Sequence, residues 1–349
     1  MALARLSIEN LRCLAKVDIE PDRGLNLCIG ENASGKTSLL EAIFFLGRGR
    51  SFRAARRQAA IRDGAQAARL VGRLADGRSL GFEIDAGGWT ARAGGEPVDS
   101  LVDLASLLPV QLLDPDIHRL VQEGPGERRR YLDWATFHVK PEFLDAWRQY
   151  QRAMKQRNAA LRQAAPASAL TPWEDSMVQA GARIERLRRA TLAELQPAVS
   201  RAAEALLGAE LSLAYRSGHE KPLGEALAAS RERDRRAGVT QVGPHRADLA
   251  IDLAERRARG RVSRGQQKLV AAALVLGQAE FLAPSWEGRG VLLVDDPAAE
   301  LDPGRAGRLI ERIASLPFQV FLTALDPAPL QGLEGRRFHV KQGRVLAVI

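Results

Sequence analysis

The sequence predicts an α/β fold of the P-loop type with a mostly helical lobe inserted in it, and three observations carry that prediction. Gly30 to Thr37, GENASGKT, follows a strand-like apolar run, LNLCIG, and opens a run with apolar residues at helical spacing, TSLLEAIFFLGRG. A second apolar strand, VLLVDD, ends on Asp295 and Asp296, with Asp295 placed 259 residues beyond Lys36 (295 − 36). Between the two, from Arg128 to about Gly208, the pattern is helical.

Taken in order, LARLSIENLRCLAKVDIEPDRGLNLCIG reads as two short alternating runs and then the strand that feeds the glycine loop. From about Ala68 to Pro97, short alternating stretches separated by Asp-Gly and Gly-Gly predict an antiparallel meander, so the sheet content is mixed. EFLDAWRQYQRAMKQRNAALRQ and the run from Trp173 to Gly208 are two helical stretches, with the Pro/Ala/Ser-rich AAPASALTP predicted as their separator. The last third returns to α/β character: a long apolar helix from Gln266, the strand GVLLVDD, a helix in GRAGRLIERIASL, the buried strand QVFLTAL and a closing hairpin, RRFHVKQGRVLAVI. The expected division is therefore an α/β lobe from residues 1–127 and 240–349 around a helical lobe of 128–239.

The 349 residues, 46% hydrophobic and 27% charged, are ordinary for a chain that folds around its own core. No run approaches eighteen apolar residues, and the start MALARLSIEN lacks the features of a signal peptide, so a cytoplasmic protein without a membrane partner is expected. Cys13 and Cys28 match neither a metal-ligand spacing nor a disulfide framework and read as small buried hydrophobes. The net charge of +9 favours polyanionic partners, nucleic acid first among them. Only seven of the 51 basic residues are lysine, which makes Lys36 inside the glycine loop less incidental.

GENASGKT satisfies G-x-x-x-x-G-K-[ST] in the strand-loop-helix setting that the motif needs. Backbone N–H groups of Gly30, Glu31, Asn32, Ala33, Ser34 and Gly35, together with the helix start at Lys36, Thr37 and Ser38, would cradle phosphates, with Lys36 neutralising the β/γ oxygens and Thr37 ligating Mg²⁺. Two aspartates after an apolar strand are by themselves more often a turn or a helix cap. Paired with this loop, Asp295 becomes the carboxylate of the metal site, and Asp296 stands where a general base would orient water at the γ-phosphate. In GTPases and simple kinases the second carboxylate follows within about a hundred residues; here a large insertion splits the site. At that split stands SRGQQK, Ser263 to Lys268, opening a helix, a weak anion-binding pattern by itself.

P-loop, Ser-x-Gly-Gln-Gln before a helix, and a strand ending Asp-Asp with ELD ending six residues on together resemble the head domain of ABC-type ATPases. Within that superfamily the chain resembles the RecF family, relatives of the SMC-type heads, over nearly its whole length: LARLSIENLR, the P-loop, PVQLLDPDIHRLVQEGPGERRRYLDW, KQRNAALR, GPHRADL, SRGQQK, LLVDDPAAELD and QVFLTA. The resemblance implies an ATP-dependent homodimer in which each nucleotide lies between the P-loop of one subunit and the signature loop of the other. Ser263, Gly265 and Gln266 would then contact the γ-phosphate in trans, Asp302 of ELD would sit at the dimer seam, Gln111 would be the Q-loop glutamine that senses Mg²⁺, and Arg12 would lie near the nucleotide. The usual catalytic glutamate is Asp296 here and the usual switch histidine falls at Thr323, both of which imply slow hydrolysis. The implied activity is ATP-dependent DNA binding in gap repair, on gapped or duplex DNA and at single-strand/duplex junctions, with RecO and RecR loading RecA and supporting the SOS response.

Arginine runs at Arg128 to Arg130 and at Arg231 to Arg236 are ordinarily solvated helix faces. Arg128, Arg129, Arg130, and Arg256, Arg257 and Arg259 beside the signature loop are the candidate DNA contacts. His245 in GPHR has no nucleophile or carboxylate constellation beside it and reads as structural or interfacial. A coiled-coil tether of the SMC type is excluded, because no heptad run of three or four turns is sustained in the 227 residues from Lys36 to Ser263 (263 − 36). Another ABC- or SMC-type clamp and a metabolic P-loop kinase are the competing readings; a kinase has no need of SRGQQK.

Overall fold

Alternation of buried with half-buried or exposed side chains in β4 (Ala67–Leu74) and β5 (Ser79–Asp85) puts Leu70, Leu74, Leu80, Phe82 and Ile84 on one face, as a sheet with one wetter side requires. With β1 (Leu3–Leu11), β2 (Leu14–Ile19), β6 (Gly88–Ala93) and β7 (Glu96–Pro97) they form an antiparallel sheet in the order β2-β1-β4-β5-β6-β7, the expected meander extended by the N-terminal hairpin. The computed structural model describes residues 3–254, 256–258 and 263–348.

A second sheet is built from strands that read as continuous apolar runs. It contains β3 (Leu25–Ile29), β8 (Val110–Leu113), β12 (Val291–Asp295) and β13 (Gln319–Ala324), the last two buried at every position. These four are mutually parallel, β14 (Arg336–Lys341) adds a parallel strand and β15 (Arg344–Val348) closes the edge antiparallel, giving β15-β14-β3-β13-β12-β8. Helix α1 (Lys36–Arg48) packs against strands of both sheets, which is why Leu39, Leu40, Ile43, Phe44, Phe45 and Leu46 are all buried and no polar face is left. A Cβ on Gly47 would stand 2.4 Å from the Val110 side chain and 2.5 Å from the Leu108 carbonyl oxygen, so glycine is what permits the helix to approach β8. Helices α2 (Leu101–Leu107) and α9 (Pro303–Ala314) belong to the same unit, residues 1–117 with 283–349.

Residues 118–282 make the other unit: α3 (Arg119–Gln122), α4 (Pro125–Val139), α5 (Phe143–Arg162), α6 (Ala167–Leu207), α7 (Leu223–Ala237), a small antiparallel sheet of β9 (Leu211–Arg216), β10 (Asp248–Leu253) and β11 (Arg256–Arg257), and most of α8 (Arg264–Trp286). The expected boundaries at 127/128 and 239/240 move outward. The physical reason is α8, which is tied to α4 by the Tyr131 hydroxyl donating to Leu274 O at 2.8 Å and by Gln278 Nε2 donating to Tyr131 O at 2.8 Å. The expected separator AAPASALTP is also mostly helix: α6 begins at Ala167 and carries Pro172 and Pro197 within it. Helix α8 is long and apolar enough, by length and composition, to cross a bilayer, but 72% of that stretch is buried inside the protein, the environment of a core helix.

Candidate nucleotide-binding site

The loop after β3 is shaped by positions where a side chain is sterically excluded or strained. A Cβ on Gly30 would lie 2.1 Å from the Val340 carbonyl oxygen, and Ala33 (φ 60) and Gly35 (φ +116) turn the backbone into α1 through the left-handed region. The loop is braced by Gly30 N–H donating to Ala324 O at 3.3 Å and Gly343 N–H donating to Ser34 O at 2.8 Å. Helix geometry leaves the first-turn N–H groups of α1 directed at the loop, the positive end of the helix dipole. Lys36 Nζ bridges the loop by donating to Gly30 O at 2.7 Å and Glu31 O at 2.8 Å; burial lowers its pKa, while Asp296 and Asp295 oppose that shift. Ser34 Oγ is buried with no hydrogen-bond partner among the described residues, a donor whose desolvation is not offset there.

Opposite the loop stands Asp295, the last residue of β12. Thr37 Oγ1 lies 3.0 and 3.1 Å from its two carboxylate oxygens, although 258 residues separate them. Thr323 Oγ1, on the neighbouring strand β13, donates to Asp295 Oδ1 at 2.7 Å and accepts from Asp296 N–H at 3.0 Å. Asp296 itself has φ 47, an unusual conformation for a non-glycine residue and one that turns the chain sharply off the strand end. Among the described residues no three or more His, Cys, Asp or Glu side chains are grouped so that they could hold a metal ion. A hydroxyl and a carboxylate are instead the sparse oxygen set that suits Mg²⁺, which keeps its remaining positions for water and phosphate oxygens. The orphaned Ser34 hydroxyl, the ammonium and the helix start fit phosphates, so the donor set fits magnesium and a nucleoside triphosphate. Gly30 to Ser38 would hold the phosphates; Thr37 and Asp295 would hold the ion.

The other sequence-predicted residues divide. Arg12, at φ 53 in the β1–β2 turn, is clamped by the fully buried Glu41, with Nε and Nη2 donating to its two oxygens at 2.9 and 2.8 Å, contacts that raise the arginine pKa. Glu41 also accepts from Ser51 Oγ and lies 3.6 Å from Arg53 Nη1. The signal for it was legible, since a lone carboxylate in the apolar run of α1 requires a cationic partner. Gln111 needs correcting as a metal sensor. It is buried inside β8 in register with Leu292, three residues short of the level of Asp295, roughly 10 Å along a parallel strand and beyond the reach of a glutamine. Cys13 is corrected as well: it is exposed in the β1–β2 turn, 3.9 Å from Ser38 Oγ, whereas Cys28 is buried in β3 with its thiol pushed up to about 12 by desolvation.

Asp302 is the exposed N-cap of α9, its Oδ1 accepting from Arg305 N–H at 3.0 Å. In the unit of residues 118–282, Ser263 and Gln266 form a reciprocal capping box at the start of α8: Ser263 N–H donates to Gln266 Oε1 at 3.0 Å and Gln266 N–H to Ser263 Oγ at 3.3 Å. Gly265 lies in the first turn between them, so the signature segment ends in a preorganised helix start. Arg128 is corrected as a DNA contact, because it is buried and paired in bidentate fashion with Asp248 at 2.7 and 3.1 Å. Arg129 is half-buried against Ala247 O and Arg130 is exposed, paired with Glu127. Arg256 and Arg257 form β11, and Arg259 lies outside the described residues. His245 bridges Tyr150 Oη at 2.8 Å and Thr240 O at 3.0 Å. Its partners among the described residues are a phenol and a backbone carbonyl, not a Ser, Cys or carboxylate.

A glycine loop between a parallel strand and a helix, a carboxylate at the end of a strand from the far end of the chain facing that loop, and an antiparallel meander beside the mixed sheet define the head domain of an ABC-type ATPase. The chain is 41% identical to the DNA replication and repair protein RecF of Stenotrophomonas maltophilia with all of both chains covered, and 42% identical to that of Thioalkalivibrio sulfidiphilus with 98% of each covered. It belongs to the RecF family of DNA replication and repair proteins. A family model described as an AAA domain matches residues 5–67. Among solved structures, one described as the recombination mediator protein RecF with ATP in the RecFOR pathway superposes with a TM-score of 0.87 at 27% identity, covering 100% of this chain and 98% of that one. An Smc head bound to the C-terminal winged-helix domain of ScpA superposes with a TM-score of 0.64 at 17% identity over 100% of this chain and 98% of the other, a likeness of fold.

Proposed function

We propose that this chain is an ATP-dependent DNA-binding protein of recombinational gap repair, one that dimerises on ATP, binds gapped and duplex DNA and single-strand/duplex junctions, and works with RecO and RecR to load RecA in support of replication and the SOS response. The observation that carries the reading is the meeting of Thr37 and Asp295 at 3.0 Å beside a Ser34 hydroxyl without a partner among the described residues, in a chain that matches RecF proteins over 98–100% of both lengths, a family with an ATP-bound structure. Bound ATP and Mg²⁺ supply the charge that a second copy's signature loop can grip. Within one chain, Lys36 and the loop N–H groups orient the phosphates, Thr37 and Asp295 hold the ion, and Asp296 directs water at the γ-phosphate. Ser263, Gly265 and Gln266 would complete the site from the partner, with Asp302 at the seam. Aspartate in the base position and threonine in place of the switch histidine favour slow hydrolysis, suited to a timed clamp in the cytoplasm. Arg129 and Arg130 remain the candidate DNA contacts of α4, with Arg256, Arg257 and Arg259 near the signature.

Sedimentation with and without ATP, in parallel with binding to gapped, duplex and single-stranded DNA across a salt series, tests the reading. Conversion to a dimer on ATP, with affinity falling steeply between low and physiological salt, is the expected outcome. A chain that stays monomeric with ATP and binds DNA without regard to salt would overturn it.

A further inference from the structure

We propose that Thr323 is a positioning residue of the ATPase site, fixing both the metal carboxylate and the candidate base through one hydroxyl; the inference rests on the nucleotide-binding reading above. Thr323 is fully buried in β13, in register with Asp295 of β12 on one side and Cys28 of β3 on the other. At such a position, in a run that is otherwise Val320, Phe321, Leu322 and Ala324, a hydroxyl is costly to bury unless both its donor and its acceptor are used. Both are used. Its single proton goes to Asp295 Oδ1 at 2.7 Å, and its oxygen takes the Asp296 N–H at 3.0 Å.

Each bond has a separate consequence. Asp295 already faces the Thr37 hydroxyl, so a second hydroxyl from the adjacent strand holds the carboxylate in one rotamer, with its remaining lone pairs directed toward the Thr37 side where the ion would be held. Asp296 sits at φ 47, a strained conformation that persists only when its surroundings over-determine it, and the bond from its N–H to Thr323 Oγ1 is one such constraint. The threonine cannot move a proton at the γ-phosphate as an imidazole would; it holds the Asp295 carboxylate directly and Asp296 through its backbone N–H.

Thr323→Val removes the hydroxyl and keeps the branching, and Thr323→Ser restores the hydroxyl. The measurement is the affinity for a fluorescent ATP analogue in EDTA and in saturating Mg²⁺, with thermal melting of the nucleotide-free protein and steady-state hydrolysis alongside. Affinity in EDTA is expected to stay within about twofold of the parent, while the gain in affinity on adding Mg²⁺ shrinks about tenfold in the valine variant, the scale of one hydrogen bond to a charged group, and returns in the serine variant. Hydrolysis should fall with it through kcat more than through KM. If the valine variant does not fold, Thr323→Ala against Thr323→Ser carries the same comparison. An undiminished Mg²⁺ gain in the hydroxyl-free variant, even with a lowered melting temperature, overturns the proposal; a parent protein with no affinity for the analogue overturns the nucleotide-binding reading beneath it.

Discussion

His245 shows what a chemically suggestive side chain does when its partners are known. With Nε2 directed at the Thr240 carbonyl, which only an N–H can satisfy, Nδ1 is left to accept from the Tyr150 hydroxyl, so the ring is held neutral. Burial lowers its pKa to about 4, with Arg246 and Arg129 adding repulsion. The unfolded chain, with a histidine near 6.5, therefore binds the proton first, and stability is lost as pH falls from about 6.5 to about 4. The loss from this residue should approach about 3 kcal/mol at the acid end of that window. Chemical denaturation at pH 7.0, 5.5 and 4.5 should show a steeper decline for the parent than for His245→Gln, and identical slopes would remove the assignment. The same local reasoning accounts for Arg128: once paired with Asp248 and 4% exposed, its charge is neutralised inside the protein and is not available to a phosphate backbone.

At the scale of elements, two helical glycines have opposite meanings that their shared residue type conceals. Gly277 lies in α8 where a Cβ would come 2.6 Å from Val199 Cα and 2.9 Å from Val199 N, both backbone atoms of α6. Gly307 in α9 has nothing within 4 Å of its Cβ position. Alanine in a helix normally gains up to about 1 kcal/mol over glycine, and Gly307→Ala should show that gain in urea unfolding. Gly277→Ala should instead lose roughly 1–3 kcal/mol, because the helices must separate before the methyl fits. Equal stabilisation by both would mean that α6 and α8 pack more loosely than the structure has them. The capped start of α8 belongs at this scale too: Ser263 and Gln266 satisfy each other's N–H groups, so the helix end is already formed without a ligand.

For the molecule as a whole, the proposed clamp makes hydrolysis a question of assembly. Asp296→Asn keeps the hydrogen-bonding shape of the side chain and removes its basicity, so ATP-bound dimers should persist in sedimentation while phosphate release falls by about a hundredfold or more; parental hydrolysis would place the base elsewhere. Much of this was legible in one dimension. The P-loop, the buried strands VLLVD and QVFLTA, the meander and the capping pattern SRGQ all follow from residue types at fixed short spacings, because backbone geometry and burial act locally. The misjudged positions share the opposite property. Whether Gln111 reaches the metal depended on the register of β8 against β12, whether Arg128 is a surface charge depended on Asp248 120 residues away, and the lobe boundary depended on what α8 packs against. Thr323 read from the sequence as a histidine that was missing. Its two bonds, to Asp295 and Asp296 across a strand pair, exist only once parallel pairing sets those strands in register, a contact between distant segments that no local pattern encodes.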